Sequence, residues 1–356
     1  MAPPLALQED APLAPLTTLG VGGPARFFLR AEDADTVGLA VRWAHEQRLP
    51  LLVLGGGSNL VVADTGFEGL VLHLALRGLT IGADGTVTAA AGEPWDDVVA
   101  AAVEHGLAGL ECLSGIPGLV GATPIQNVGA YGQDVSETIT QVRALDVHSG
   151  DTVAFTGADC GFGYRDSRFK QQDRGRYVIL GVTFALRPGG APALRYPELT
   201  RHLQDLGHAP SLAETRAAVI SLRRRKSMVI DPADPNRRSV GSFFMNPVVG
   251  QAVAEGVRAA LRGTGRPEEA EHLPAFPTGD GRVKLSAAWL IERAGIVRGY
   301  ARGAAGISSN HTLAIVNRGG ATAHEIAALA REVRDRVHDT FGITLVPEPV
   351  LVGVEI

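Results

Sequence analysis

Residues 109–132, GLECLSGIPGLVGATPIQNVGAYG, hold six glycines and one charged side chain, Glu111, in 24 residues. Each glycine in a helix interior costs about 1 kcal/mol relative to alanine, so this stretch does not fold as a helix. It is also too poor in charge to be an ordinary solvated loop. Glycine admits positive φ and lets backbone N–H groups converge on an anion with no side chain in the way. A second cluster, Gly55-Gly56-Gly57-Ser58-Asn59, follows the apolar run Leu51-Leu52-Val53-Leu54. Either cluster alone reads equally as a tight turn or as a phosphate cradle. Two uncharged glycine loops in one chain point to a diphosphate cofactor held mainly by main chain.

The chain is long enough, at 356 residues, for two or three domains, and 45% hydrophobic content supplies their cores. A net charge of −5 gives no reason to expect nucleic acid or an anionic membrane as partner. The two cysteines, Cys112 and Cys160, form no C-x-x-C or Cys/His cluster, so neither a disulfide framework nor a metal site is expected. A reducing cytoplasm is the default. Residues 1–15 are proline-rich and lack a basic start, and read as a flexible tail, not a signal peptide. No apolar run approaches the roughly 20 residues of a membrane span. The sequence has no G-x-G-x-x-G after a strand and no G-x-x-x-x-G-K-[ST], which removes a Rossmann dinucleotide site and a P-loop. Only three lysines, Lys170, Lys226 and Lys284, stand among 33 basic residues. A retained lysine is a candidate for a place that needs a compact ammonium.

Periodicity predicts a helix over 35–49, with Val37, Ala40, Val41 and Ala44 on one face, and a buried strand over 51–54. Short strands are expected at 60–62, 70–74 and 86–90, and a helix near 95–105 burying Val98, Val99, Ala102 and Val103. Further strands are expected at 141–147, 152–155 and 177–186. Helices follow at 212–226, 284–294 and 323–341, and a last apolar strand at 343–356. The alternation suggests α+β, with boundaries near 76 and 210.

Several residues carry candidate chemistry. In Gly163-Tyr164-Arg165-Asp166-Ser167, Arg165 can fork onto a carboxylate or form a surface pair with Asp166. In Gly241-Ser242-Phe243-Phe244 the hydroxyl sits where water can be excluded, or is a plain turn residue. Glu348, in Val346-Pro347-Glu348-Pro349-Val350, is either a strand-end surface charge or a carboxylate raised in pKa by desolvation. The run Arg223-Arg224-Arg225-Lys226 is a solvated helix face or a phosphate grip.

Taken in order, Gly55–Asn59, Pro117–Gly132 with Gln126-Asn127, Gly163–Ser167, Gly241–Pro247 and Pro347-Glu348-Pro349 closely resemble the UDP-N-acetylenolpyruvoylglucosamine reductase family. These are FAD enzymes of bacterial cell-wall precursor synthesis. The likeness runs from Leu16–Gly23 to the last strand, and Arg195–Leu199 resembles the tyrosine-bearing loop of the family's first structural type. The resemblance implies an α+β fold: a two-lobed FAD-binding domain of the PCMH/vanillyl-alcohol-oxidase type plus a C-terminal α+β substrate-binding domain. The lobes would be 16–76, joined by the strand 343–356, and 77–210, with 211–342 as the third domain. It implies non-covalent FAD, NADPH as co-substrate, a UDP-sugar as substrate and a monomer. FAD would be held by Gly55, Gly56, Gly57, Ser58, Asn59, Ile116, Pro117, Gly118, Gly121, Thr123, Gln126, Asn127, Gly129, Ala130, Tyr131 and Tyr164. Tyr196, Lys226 and Asn246 match substrate-binding positions. By the same resemblance, hydride passes from flavin N5 to the methylene carbon of the enol ether. Arg165 and Glu348 stabilise the resulting enediolate, and Ser242 protonates the neighbouring carbon. Flavin oxidases of the wider superfamily often attach FAD through His or Cys, which draws attention to His105 and Cys112. The stretch Ser309-Asn310-His311 stands where a hydrogen-bonding pair is expected and receives no assignment.

Overall fold

The computed structural model describes residues 5–356. The chain forms two compact units. One gathers the segments up to Pro12, Pro24–Ser58 and Gly66–Ile230; the other gathers Leu13–Gly23, Asn59–Thr65 and Asp231–Ile356. This grouping differs from a division at 76 and 210: helix Leu212–Arg225 sorts with the first unit, and two N-terminal segments sort with the C-terminal half.

The first unit has two larger sheets beside two two-stranded pairings. In one, Pro24–Ala31 and Leu51–Leu54 flank Phe67–Leu74, all parallel, with helix Ala34–Glu46 as the connection. The Asp33 carboxylate caps that helix by accepting from the Thr36 N–H at 2.6 Å. Its buried face, Val37, Ala40, Val41 and Ala44, packs against Leu29, Leu70 and Leu72. Gln8–Pro12 adds an antiparallel edge to Pro24–Ala31. The expected flexible tail is therefore wrong from Gln8 onward, while residues 1–4 of it lie outside the described residues. Gln8, Glu9 and Asp10 are solvent-facing and read as tail, but their backbone pairs and Ala11 is buried.

The second sheet is five-stranded and antiparallel, in the order Thr152–Thr156, Ile139–Asp146, Tyr177–Ala185, Thr86–Ala90, Leu79–Ile81. Helix Trp95–Glu104 covers it, with Trp95, Val98, Val99 and Ala102 in the core; Val103 is only half-buried. The glycine-rich segment leaves this core in short 3-10 turns, as its composition requires.

The other unit has one core. Leu19, Val21 and Val61 lie in it with Phe243, Val257, Leu290, Ile326, Val333 and Phe341. Helix Ala323–Phe341 has the expected bounds, closed by Gly342 at φ +67°. Two expectations are corrected. Lys284 and Leu285 belong to strand Arg282–Leu285, and the helix is Ala287–Arg293 with Ser286 as its cap. The last strand is only Val350–Val352, because Pro347 and Pro349 cannot donate to a ladder. It pairs parallel with Leu60–Val62. Helices Pro197–Leu203, Gln251–Gly263 and Pro267–Glu271 had not been expected.

Candidate active site

The two glycine loops meet inside the first unit. A Cβ on Gly56 would stand 3.0 Å from the Gly118 Cα, and a Cβ on Gly118 would stand 2.9 Å from the Ser58 Oγ. Ser58 Oγ donates to the Pro117 carbonyl at 3.1 Å. Gly57 and Gly118 have φ of +62° and +124°, which L side chains avoid. Gly121 lies against Ala91, its N–H donating to the Ala91 carbonyl at 2.9 Å. The loops therefore present backbone against backbone. This is the neutral, side-chain-free surface that a diphosphate group fits.

Of the six non-glycine residues with positive φ among those described, three are candidate site residues: Asn127 at +46°, Tyr131 at +50° and Arg165 at +53°. Such backbone costs of order 1–3 kcal/mol per residue and persists only where surroundings impose it. Here the bonds that impose it are visible. Asn127 Nδ2 donates to the Gly163 carbonyl at 2.9 Å, and its Oδ1 accepts from the Ser136 N–H at 3.1 Å. Asn127 is buried, so it fastens one loop to the next. Thr123, also buried, donates to the Val120 carbonyl. Ile116 and Ala130 pack on the adjoining core, and Ile125 accepts from the Ser167 hydroxyl at 2.5 Å. Gln126 is half-buried in the same segment.

Arg165 is held by several partners. Its guanidinium reaches the carbonyls of Asn127 and Gly129 and the Asp134 carboxylate, the last at 3.3 Å. It also stacks 5.4 Å from the ring centroid of Tyr164, which is 40% exposed. Lys170 Nζ holds the Arg165 carbonyl at 2.9 Å. Arg165 is thus pinned to Gly129 and its neighbours, and Asp134 is a contributor that sequence reasoning did not single out.

Tyr196 caps helix Pro197–Leu203, and its ring meets that of Tyr131 edge-on at 5.3 Å. Lys226 Nζ lies 5.7 Å from the Tyr131 ring centroid and binds Glu198 Oε2 at 2.5 Å. Burial, with Glu198 nearby, pushes the Tyr131 hydroxyl up to about 12. Of the basic run, Arg224 and Arg225 face solvent while Arg223 turns inward and donates to the Met228 carbonyl. Burial lowers Arg223 to about 10, and its Nε is buried with no partner among the described residues.

In the other unit, Ser242 follows Gly241 at φ +74°. The Phe243 N–H donates to Leu313 at 2.7 Å, and the Phe243 carbonyl accepts from the Glu348 N–H at 2.9 Å. Phe244 bridges Pro347. The serine and the glutamate thus lie on adjacent backbones of one unit. Asn59, expected at the cofactor, donates from Nδ2 to the Glu348 carbonyl at 3.4 Å. Glu348 is half-buried, flanked by exposed Val346 and Val350, so its setting is less apolar than the sequence suggests. Asn246 accepts the Ala287 N–H at 2.9 Å, which satisfies an open amide at the helix start. Ser309, which the sequence left unassigned, exchanges two hydrogen bonds with Asn236 beside the Leu313 turn.

Covalent attachment points are not favoured. Cys112 is fully buried, its Sγ held on the Ala193 carbonyl at 3.1 Å, and burial pushes the thiol up to about 12. His105 lies on the surface at the end of its helix. Among the described residues no group of His, Cys, Asp and Glu could hold a metal ion, and no helix is long and apolar enough to cross a membrane.

A sequence profile described as the UDP-N-acetylenolpyruvoylglucosamine reductase C-terminal domain matches residues 232–352, and an FAD binding domain profile matches residues 25–156. The UDP-N-acetylenolpyruvoylglucosamine reductase of Streptomyces coelicolor is 53% identical over 350 residues, covering 97% of this chain and 90% of that protein. That of Mycobacterium tuberculosis is 49% identical over 359 residues, covering 98% and 95%. Among solved structures, UDP-N-acetylenolpyruvylglucosamine reductase from Thermus caldophilus is similar with a TM-score of 0.66 and 26% identity, over 98% of this chain and 99% of that one.

Proposed function

Because the chain belongs to the UDP-N-acetylenolpyruvoylglucosamine reductase family and is an FAD oxidoreductase of peptidoglycan precursor synthesis, we propose that it reduces UDP-N-acetylglucosamine enolpyruvate to UDP-N-acetylmuramate with NADPH. Bound FAD supplies the two-electron relay between the nicotinamide and the enol ether. The paired glycine loops at 55–58 and 116–121 would hold its diphosphate without a countercharge. FAD is non-covalent in this reading, which the buried, unreactive Cys112 supports. We place the enzyme in the cytoplasm, as a monomer.

The residues act as follows. Arg165, fixed by Asp134 and two carbonyls, meets the substrate carboxylate, where charge develops during reduction. Electrostatic stabilisation of developing charge is usually the largest catalytic contribution. Glu348 shares that task as a neutral hydrogen-bond donor, since a second anion there would repel the enediolate. Ser242 gives its proton to the carbon next to the carboxylate. Tyr196, Lys226 and the amide of Asn246 hold the UDP portion.

The observation that supports this reading is the backbone coupling of Ser242-Phe243 to Glu348, which puts these two residues on neighbouring segments of one unit. Anaerobic stopped-flow tests it. NADPH should bleach the flavin, and the enolpyruvyl UDP-sugar should restore its colour. Ser242→Ala should leave bleaching intact and slow recovery by about 10²–10⁴-fold, the usual range for general acid catalysis. Equal impairment of both half-reactions would remove Ser242 from the role given. Steady-state lines should be parallel, as one site visited in turn by two substrates requires; intersecting lines would contradict that order.

A further inference from the structure

Lys226 is one of three lysines in the chain, yet its ammonium is already occupied. Its Nζ lies 2.5 Å from Glu198 Oε2, and each side chain is one-third exposed. Glu198 stands two residues after Tyr196, in the first turn of helix Pro197–Leu203, while Lys226 is the C-terminal cap of helix Leu212–Arg225. Tyr131 lies against both: its ring is edge-on to Tyr196 and under the Lys226 ammonium. A carboxylate therefore occupies the ammonium of a cluster that also holds two phenols, with the Arg223 and Arg225 charges acting on Tyr131. The Glu198 charge also helps hold both phenols protonated, burial being the larger cause for each. Protonated phenols can donate hydrogen bonds to the oxygens of a phosphate.

We propose that Glu198 is an internal stand-in for the substrate diphosphate, so that UDP-sugar binding is an anion exchange at Lys226. The inference rests on the reading that Lys226 meets the diphosphate. When the diphosphate enters, Glu198 yields Lys226 and turns to solvent. The exchange sets affinity: every substrate that binds must first displace this carboxylate, and a ligand without the diphosphate gains nothing from doing so. Between binding events the ion pair fastens the Tyr196 segment to the helix that carries Lys226.

Isothermal calorimetry with UDP as the probe, on the FAD-loaded protein, separates the possibilities. Exposed ion pairs are worth little, so releasing Lys226 by Glu198→Gln should tighten UDP about two- to five-fold. Lys226→Gln should weaken UDP, and adding Glu198→Gln to it should have no further effect, because the competition is then gone. Glu198→Gln that weakens UDP, or leaves it unchanged while Lys226→Gln weakens it, overturns the exchange: Glu198 would then be a positioning residue for the lysine. Lys226→Gln without effect on UDP overturns the underlying assignment of Lys226 instead.

Discussion

At the scale of single residues, the cofactor cradle depends on the absence of atoms. Gly118 combines φ +124° with a contact of 2.9 Å between an added Cβ and the Ser58 Oγ. Gly106 has φ +68° and nothing within 4 Å of an added Cβ. Gly106→Ala should therefore cost only about 1 kcal/mol, the ordinary left-handed penalty, and keep its flavin. Gly118→Ala should cost about 1–3 kcal/mol and purify with much less bound FAD, read as the flavin-to-protein absorbance ratio. Equal flavin content in both variants would argue against the cradle. Cys112 gives a pH signature of its own. Its folded thiol is raised from 9.0 to about 12, first by burial and then by Glu111. Below pH 9 the thiol is protonated folded or unfolded and contributes no slope. From there to about 12 the unfolded chain loses the proton and the folded one keeps it, so stability falls as pH rises, at about 1.4 kcal/mol per unit. Tyr131, raised from 10.0 to about 12, adds the same sign of slope from pH 10. Urea titrations in this window should show a shallower decline for Cys112→Ala, and identical slopes would discount the burial of this thiol.

At the scale of elements, periodicity was readable wherever one helix face is apolar and both ends are marked. Helix Ala323–Phe341 has a capping box of Thr322 and Glu325 and a glycine stop. Helix Gln251–Gly263 buries Ala254, Val257 and Leu261 at helical spacing, but Gly256 and Gly263 and an uncapped start at Gly250 obscure it. The bounds of Ala287–Arg293 come from Ser286 and from Asn246, 41 positions earlier, which no local pattern announces. Asn246→Ala should therefore lower stability by about 1 kcal/mol, as lost caps do, even without ligand. Thermal unfolding of the substrate-free protein measures it; an unchanged midpoint would leave Asn246 with a ligand role only. The candidate site divides in the same way. Glycine loops, Arg165, Ser242 and Glu348 were identifiable from residue type and motif. Asn127 was picked out by motif as a cofactor contact, but its fastening role, like those of Asp134 and Glu198, was not, because each acts through a backbone conformation or a partner distant in sequence.

At the scale of the whole molecule, the feature least visible in the sequence is that the core of the C-terminal half includes residues from two segments near the N-terminus. The boundary expected near 210 lies at 230, and the unit beyond it recruits Leu13–Gly23 and Asn59–Thr65. Leu19, Val21 and Val61 are each no more than 2% exposed within its core. Leu60–Val62 is the ladder partner of Val350–Val352, and the Ala63 N–H donates to the Val352 carbonyl at 2.8 Å. Fully burying one such aliphatic side chain is worth roughly 1.5–3 kcal/mol, so removing three withdraws a sum comparable to the ~5–15 kcal/mol stability of a whole domain. A fragment of residues 231–356 should consequently fail to unfold cooperatively and should expose apolar surface, read by near-ultraviolet dichroism and dye binding. In the intact chain, deleting Val350–Ile356 should abolish amide-exchange protection at residues 60–63 and leave strand Phe67–Leu74, which pairs within the other unit, protected. A cooperative, dye-silent fragment 231–356 would mean that the two N-terminal segments merely decorate this core.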